Sequence, residues 1–259
     1  MLMKIVLEYL KFFIKSANQY GVHSPFIYDL TIKSLRKKID INLWDSFSEI
    51  RRQLLQNNTT LKVTDYGSGS KVFKSNKRKV SKITRVAGIS IKKAKSLILL
   101  ISYFKPKNVL EIGTSLGLGT SAIKIGNKNA KITTLEGCPE TSKIAYNLFK
   151  KNNFKNIDII TGNFNTTLSE ITKNNEFDFI YFDGNHNKKA TLNYFDTCLP
   201  TATNNSVWVF DDIYWSPEMK EAWSEIKNHP RVTVSVDIFY YGIIFFRKEQ
   251  VKEHFKIRV

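Results

Sequence analysis

Residues 108–125, NVLEIGTSLGLGTSAIKI, decide how this chain is read. Val109, Leu110 and Ile112 form an apolar run without alternation, which predicts a strand buried on both faces of a parallel sheet. Gly113, Gly117 and Gly119 then mark a tight turn, and Thr120 to Ile125 continues at helical spacing. A glycine-rich turn from strand to helix lets a ligand approach the backbone and presents free N–H groups at a helix start. The spacing is G-x-x-x-G-x-G, not the G-x-G-x-x-G of dinucleotide sites. Glu111 places an acid near the strand's carboxyl end.

The segment after the helix supports a ligand. Lys131 to Leu135 (KITTL) reads as a second strand ending on Glu136, seventeen positions after Gly119. An acid there can accept hydrogen bonds from both hydroxyls of a ribose lying across the first turn. The two features together predict a nucleoside site, against the alternative that the glycines serve an ordinary turn.

From residue 108 onward strands and helices alternate, which predicts a doubly wound, mainly parallel sheet. Thr141 to Lys151 reads as a helix, Ile157 to Ile160 as a strand leading to Gly162-Asn163-Phe164, and Phe177 to Phe182 as another, ending at Asp183-Gly184-Asn185-His186. A helix over Lys188 to Cys198 precedes the strand Ser206 to Phe210, which ends at Asp211-Asp212. After a helix over Glu218 to Lys227 come two β-rich runs, Val232 to Phe239 and Gly242 to Arg247. Their connection is too short for a crossover helix, so they must pair antiparallel.

Upstream, residues 1–60 read as mostly helical, broken at Gly21-Val22-His23-Ser24-Pro25. The first residues, MLMKIVLEYLKFFIKSA, resemble a signal peptide only superficially. Lys4, Glu8, Lys11 and Lys15 interrupt any apolar core, and the apolar positions recur at helical spacing, so an amphipathic helix is expected. Its apolar face suits a homodimer surface. Trp44 to Leu55 is a second such helix, and Ile91 to Phe104 a third, stopped by Pro106. Val63 to Ser70 (VTDYGSGS) imitates a nucleotide loop, but it is followed by the basic run Lys71 to Lys79 and by no acid-terminated strand; a flexible loop is expected.

The chain's 259 residues, 42% of them apolar, can bury one substantial α/β core plus an accessory segment. Cys138 and Cys198 have neither paired nor metal-ligand spacing, so a reducing, cytoplasmic setting is expected. No stretch approaches the ~20 apolar residues of a membrane span. Residues 1–105 carry 21 Lys and Arg against 6 Asp and Glu, whereas the remainder carries 19 against 17. Such a basic half is a solvated surface, or it serves an acidic substrate, RNA or an anionic membrane face.

Residues from about 90 to 248 resemble a class I S-adenosylmethionine-dependent methyltransferase. The likeness rests on E-I-G-T-S-L-G-L-G-T (111–120), Glu136, Gly162-Asn163-Phe164, F-D-G-N-H (182–186), F-D-D (210–212) and the closing antiparallel pair. Within that family the pattern is most similar to O-methyltransferases of the catechol and caffeoyl-CoA type and their bacterial relatives. The resemblance implies a Rossmann-like, seven-stranded, mainly parallel sheet whose last strand is antiparallel. It implies a methyltransferase domain over 91–248, a basic helical extension over 1–90 and a tail over 249–259. S-adenosylmethionine would lie on Glu111, Gly113, Thr114, Ser115, Gly117, Gly119 and Thr120, with a side chain at Gly113 excluded by the ligand's own volume. Glu136 and the adjoining Gly137 would hold the ribose, and Gly162, Asn163, Phe164 and Asp183 would complete the site. Many relatives carry an acid at Asn163 that bonds the adenine amino group; an amide oxygen can accept there too.

In metal-dependent members, acids after the fourth and fifth strands hold a divalent ion, and Asp183, Asp211 and Asp212 fall at those places. Oxygen ligation would favour Mg²⁺, Mn²⁺ or Ca²⁺. The alternative is that Asp211 or Asp212 caps the next helix. His186 stands three positions after Asp183, where relatives place their general base, so His186 and Asp183 are the catalytic candidates; His186 could instead only fix geometry through Asp183. The absence of N/D-P-P-Y/F after the fourth strand disfavours amino-group methylation, and Cys138-Pro139 reverses the order needed for cytosine C5 chemistry. The expected activity is metal-assisted O-methylation of a hydroxylated small molecule. The alternatives are an RNA methyltransferase and a non-catalytic S-adenosylmethionine-binding protein.

Overall fold

The computed structural model describes residues 2–64, 75–173 and 175–259. Most of the loop expected over 63–70 and the first four residues of the basic run after it therefore lie outside the described residues. The chain begins with three helices, α1 (Leu2–Lys15), α2 (Pro25–Leu30) and α3 (Ile41–Gln56). A short antiparallel pair comes next, β1 (Thr60–Lys62) with β2 (Lys77–Lys79), then α4 (Val80–Val86) and α5 (Ile91–Phe104). The alternating part runs through β3 (Asn108–Ile112), α6 (Leu118–Gly126), β4 (Lys131–Glu136), α7 (Pro139–Lys151), β5 (Ile157–Thr161), α8 (Phe164–Thr172), β6 (Phe179–Phe182) and α9 (Lys188–Cys198). The chain closes with β7 (Val207–Asp211), α10 (Pro217–Asn228), β8 (Val234–Asp237), β9 (Tyr241–Phe245) and β10 (Glu253–Lys256).

Eight strands form one sheet in the order β10-β8-β9-β7-β6-β3-β4-β5. From β5 to β7 all pairings are parallel, whereas β9 runs antiparallel to both β7 and β8. The chain steps outward from β3 through β4 to β5, then returns to lay β6 on the other side of β3. Ligands bind at such a reversal, beyond the strands' carboxyl ends. The seven strands expected from the sequence are these less β10, which adds an eighth beside β8.

Both sheet faces are covered, which explains the uninterrupted apolar runs. Val109, Phe179, Tyr181, Val207 and Val209 face one buried cluster, shared with Ile27, Leu30, Phe47, Ile50 and Leu54 from the amino-terminal helices. Their neighbours Leu110, Ile112, Ile180, Phe182, Trp208 and Phe210 face the other cluster, under α8, α9 and α10. Each fully buried large side chain contributes on the order of 1.5–3 kcal/mol. The first residues thus cover one face of the sheet. On α1 the apolar stripe is divided: Phe12 is buried, and Val6, Leu7, Leu10 and Ile14 are exposed.

Local signals fix both ends of α5, the helix beside the carboxyl end of β7 and the amino end of β9. Ser90 caps its start by accepting the Lys93 N–H. Lys105 turns left-handed at its end (φ 48°), and Pro106 prevents continuation. Ala94, Leu97, Ile98, Leu100 and Ile101 bury one side of it. Among the described residues, no helix is long and apolar enough to cross a membrane. Cys138 and Cys198 are both buried free thiols.

Candidate active site

The turn after β3 is built around two carboxyl groups. Glu111 is fully buried, and its Oε2 accepts from the hydroxyls of Thr120 and Thr134, the latter at 2.6 Å. Its Oε1 has no hydrogen-bond partner and lies where a Cβ on Gly119 would strike it. Burial pushes this carboxyl up to about 7, with the two hydroxyls opposing the shift. Glu111 therefore braces the turn from beneath and offers one unpaired buried oxygen to whatever the turn receives.

Above it, Gly113 has φ 108°, and its N–H and that of Thr114 donate to the Leu135 carbonyl. A Cβ on Gly113 would lie 2.5 Å from the Asp183 carbonyl oxygen. Glycine is thus required there by the close approach of the β6–α9 turn, a reason different from the ligand volume expected from sequence. Gly117 (φ 84°) starts α6, where a side chain would meet the Phe149 ring at 2.7 Å.

Glu136 ends β4 and is largely buried. Its Oε2 accepts the Ser115 N–H at 2.6 Å and its Oε1 the Cys138 N–H at 2.9 Å. Burial raises its pKa against the pull of those N–H groups. The Gly137 N–H and the Thr141 hydroxyl add hydrogen bonds to the same carboxylate, so a ligand hydroxyl there would share oxygens that protein groups already hold. Asn163 caps α8 by accepting the Asn165 N–H at 2.9 Å, so its amide oxygen is already half engaged. Phe164 covers the backbone of Gly184, where a Cβ would approach its ring to 2.8 Å, and meets Tyr194 edge-on.

The acids converge at the ends of β6 and β7. The nearest ligand atoms of Asp183, His186 and Asp211 all lie within 4.8 Å of one another. His186 Nε2 stands 3.6 Å from Asp183 Oδ1, beyond hydrogen-bond length. Burial and the neighbouring Asp211 raise the Asp183 pKa well above the carboxylate range. Asp212 sits in the left-handed region (φ 53°), fixed by its N–H to the Tyr240 carbonyl and to Asp211 Oδ1. Neither Asp211 nor Asp212 caps the helix α10: Ser216 does, accepting the Met219 N–H.

One residue of this cluster is not picked out by the sequence pattern. Lys93 reaches over from α5 and places its ammonium 2.6 Å from Asp211 Oδ1 and 2.6 Å from Asp212 Oδ1. Burial works against that charge, but Asp211, Asp212 and Asp183 outweigh it and hold the lysine protonated. A signal exists: Lys93 falls on the same helical face as Ser96, Leu97 and Leu100, and a charge on a buried stripe needs a partner. A magnesium ion bound to Asp211 and Asp212 needs oxygens at about 2.0–2.1 Å, and the ammonium, 2.6 Å from one oxygen of each, stands between them in its place. With Lys93 in place, the Asp183, Asp211 and Asp212 set does not fit a divalent ion.

Comparison with known proteins bears on the fold and the family. A search of curated proteins gave no match. Among solved structures, the SAH-bound methyltransferase PaMTH1 of Podospora anserina is 19% identical, with 81% of this chain and 89% of that one covered at a TM-score of 0.59. The O-methyltransferase of Bacillus cereus, in complex with SAH, is 20% identical over 84% of this chain and 94% of that one, at 0.53. TomG of Streptomyces achromogenes, involved in tomaymycin synthesis and in complex with SAM, is 16% identical over 85% and 95%, at 0.54. These likenesses speak for the fold. The sequence model of the O-methyltransferase family matches residues 70–248, well over half of the chain, and this chain therefore belongs to that family of S-adenosylmethionine-dependent enzymes.

Proposed function

We propose that this enzyme methylates a hydroxyl oxygen of a small molecule. The observation that carries the reading is the convergence of His186, Asp183 and the Lys93–Asp211–Asp212 group beside the glycine turn. S-adenosylmethionine supplies an electrophilic methyl group on a sulfonium. The chain's own residues do the rest. The unpaired Oε1 of Glu111 and the carboxylate of Glu136 fit the polar parts of that cofactor, and the absent side chain of Gly119 leaves the Glu111 oxygen uncovered. His186, 27% exposed at the rim of the acids, receives the proton of the acceptor hydroxyl. In-line placement of the acceptor oxygen then supplies much of the remaining acceleration.

The family resemblance implies a divalent ion on Asp183, Asp211 and Asp212 holding that oxygen. Lys93 fills the place, and no step of the proposed reaction runs through an ion.

Methyl transfer from labelled S-adenosylmethionine to a panel of phenols, catechols and aliphatic alcohols tests the reading, with extracted tRNA and rRNA in parallel. A methyl ether identified by mass spectrometry and NMR is the expected product. Label found only on nitrogen, or only on RNA, would replace it.

A further inference from the structure

We infer that Lys93 is this enzyme's resident cation, standing where metal-assisted O-methyltransfer would place a divalent ion, and that methyl transfer here proceeds without one. The inference rests on the O-methyltransferase reading proposed for this site.

Geometry carries it. Asp211 is the last residue of β7 and is 5% exposed, with Asp212 beside it in a left-handed backbone conformation. Two adjacent carboxylates at one strand end repel each other unless a cation neutralises them. The ammonium of Lys93 contacts both at 2.6 Å and is itself only 14% exposed. Its position does not depend on a flexible tether alone. The Lys93 carbonyl accepts from the Tyr241 hydroxyl at 3.2 Å, and one helical turn on, Ser96 shares a hydrogen bond with the Tyr240 hydroxyl at 2.7 Å. Both tyrosines belong to the turn and strand whose backbone also holds Asp212. Helix, strand and acids are thus one hydrogen-bonded unit with the lysine at its centre.

An ammonium has three N–H groups. Two are taken by Asp211 and Asp212, which leaves one for the acceptor oxygen. In the reaction, the acceptor O–H bond breaks with its proton passing to His186. The oxygen lone pair forms the new O–CH₃ bond as the S–CH₃ bond breaks, and the electron pair of that bond returns to sulfur as a neutral thioether. Lys93 stabilises the oxygen while it is negative and takes no part in bond making.

Mn²⁺ binding, followed by electron paramagnetic resonance and by thermal shift, tests the inference independently of any acceptor. Wild-type enzyme should show no Mn²⁺ binding below millimolar concentration and no change in melting temperature, and chelation should leave turnover unchanged. Lys93→Met should bind Mn²⁺ at least roughly tenfold more tightly than wild type, because the carboxylates are then uncompensated. It should also lose turnover that added Mn²⁺ partly restores, whereas Lys93→Arg should remain indifferent to metal. Micromolar Mn²⁺ binding by the wild type, or loss of its activity on chelation, overturns the inference. If Lys93→Met does not fold, the wild-type titration alone decides. If no hydroxylated acceptor is ever methylated, the proposed function fails while the Mn²⁺ isotherms still judge Lys93.

Discussion

Glu136 accepts the backbone N–H of Ser115 at 2.6 Å, so the end of β4 is tied directly to the turn that succeeds β3. The bond explains an otherwise awkward conformation, since Ser115 has φ 49°. A single carboxylate thereby shapes the glycine turn while also holding the Cys138 N–H at the start of α7. Strained or left-handed residues gather on this side of the sheet, at Gly113, Ser115, Asn185, Asp212 and Phe239. Such conformations persist where surrounding structure over-determines them, and they cluster at ligand sites.

Glu136→Ala should therefore weaken S-adenosylmethionine binding by about 2–3 kcal/mol, the worth of charge-assisted hydrogen bonds. Isothermal titration calorimetry measures it directly. An unchanged dissociation constant would remove Glu136 from the cofactor site.

Gly113→Ala should destabilise the protein even without cofactor. A Cβ there meets the Asp183 carbonyl oxygen at 2.5 Å and the Gly184 nitrogen at 3.0 Å. The φ of 108° adds strain of order 1–3 kcal/mol for a non-glycine residue. Urea denaturation of the cofactor-free protein should show a loss of at least roughly that size. Lost binding with undiminished stability would mean that ligand volume alone demands the glycine.

Much of this was legible in the sequence because buried parallel strands are unbroken apolar runs that end on chemistry. Asp183, Asp211 and Glu136 stand where such runs stop. The features that stayed hidden depend on contacts across the chain. Lys93 and Asp212 are separated by 119 positions, and nothing local joins them. The strand β10 is not legible because EHFK has a single apolar residue and pairs only along the sheet edge, anchored by the buried Ile257 next in the chain. The need for Gly113 was legible, but its cause was not, since the obstructing atom belongs to another turn.

Glu111 gives the fold a pH dependence of definite sign. Its carboxyl rises from 4.5 to about 7 on burial, so the native state holds the proton more tightly than the unfolded chain. The stability this contributes is complete below pH 4.5 and is lost as the pH rises through 7. The loss is of order 3 kcal/mol at most. Chemical denaturation of cofactor-free wild type and Glu111→Gln across this range should show the variant flatter and relatively more stable at pH 8. Parallel curves would place the titration elsewhere, for instance on Asp183 or Glu136, whose pKa values are raised in the same direction.

His186 stands at the rim of the acid cluster, 3.6 Å from Asp183 and without a hydrogen bond to it, so its imidazole is available to an acceptor. Two roles lead to different kinetics. If His186 removes the acceptor proton, His186→Ala should lower kcat by roughly 100-fold near neutral pH, within the range of general-base effects. The deficit should shrink as the pH approaches the acceptor's own pKa, because the hydroxyl then ionises unaided. Affinity for S-adenosylmethionine should be spared, since the cofactor's proposed contacts lie at the ends of β3 and β4. If His186 only positions Asp183, the loss should be the same at every pH, and His186→Gln should recover much of it by restoring a polar contact. A pH profile of kcat for wild type, His186→Ala and His186→Gln on one methylated acceptor separates the two. A deficit independent of pH would deny His186 the proton and leave Asp183, the nearest titratable neighbour, as the group that accepts it.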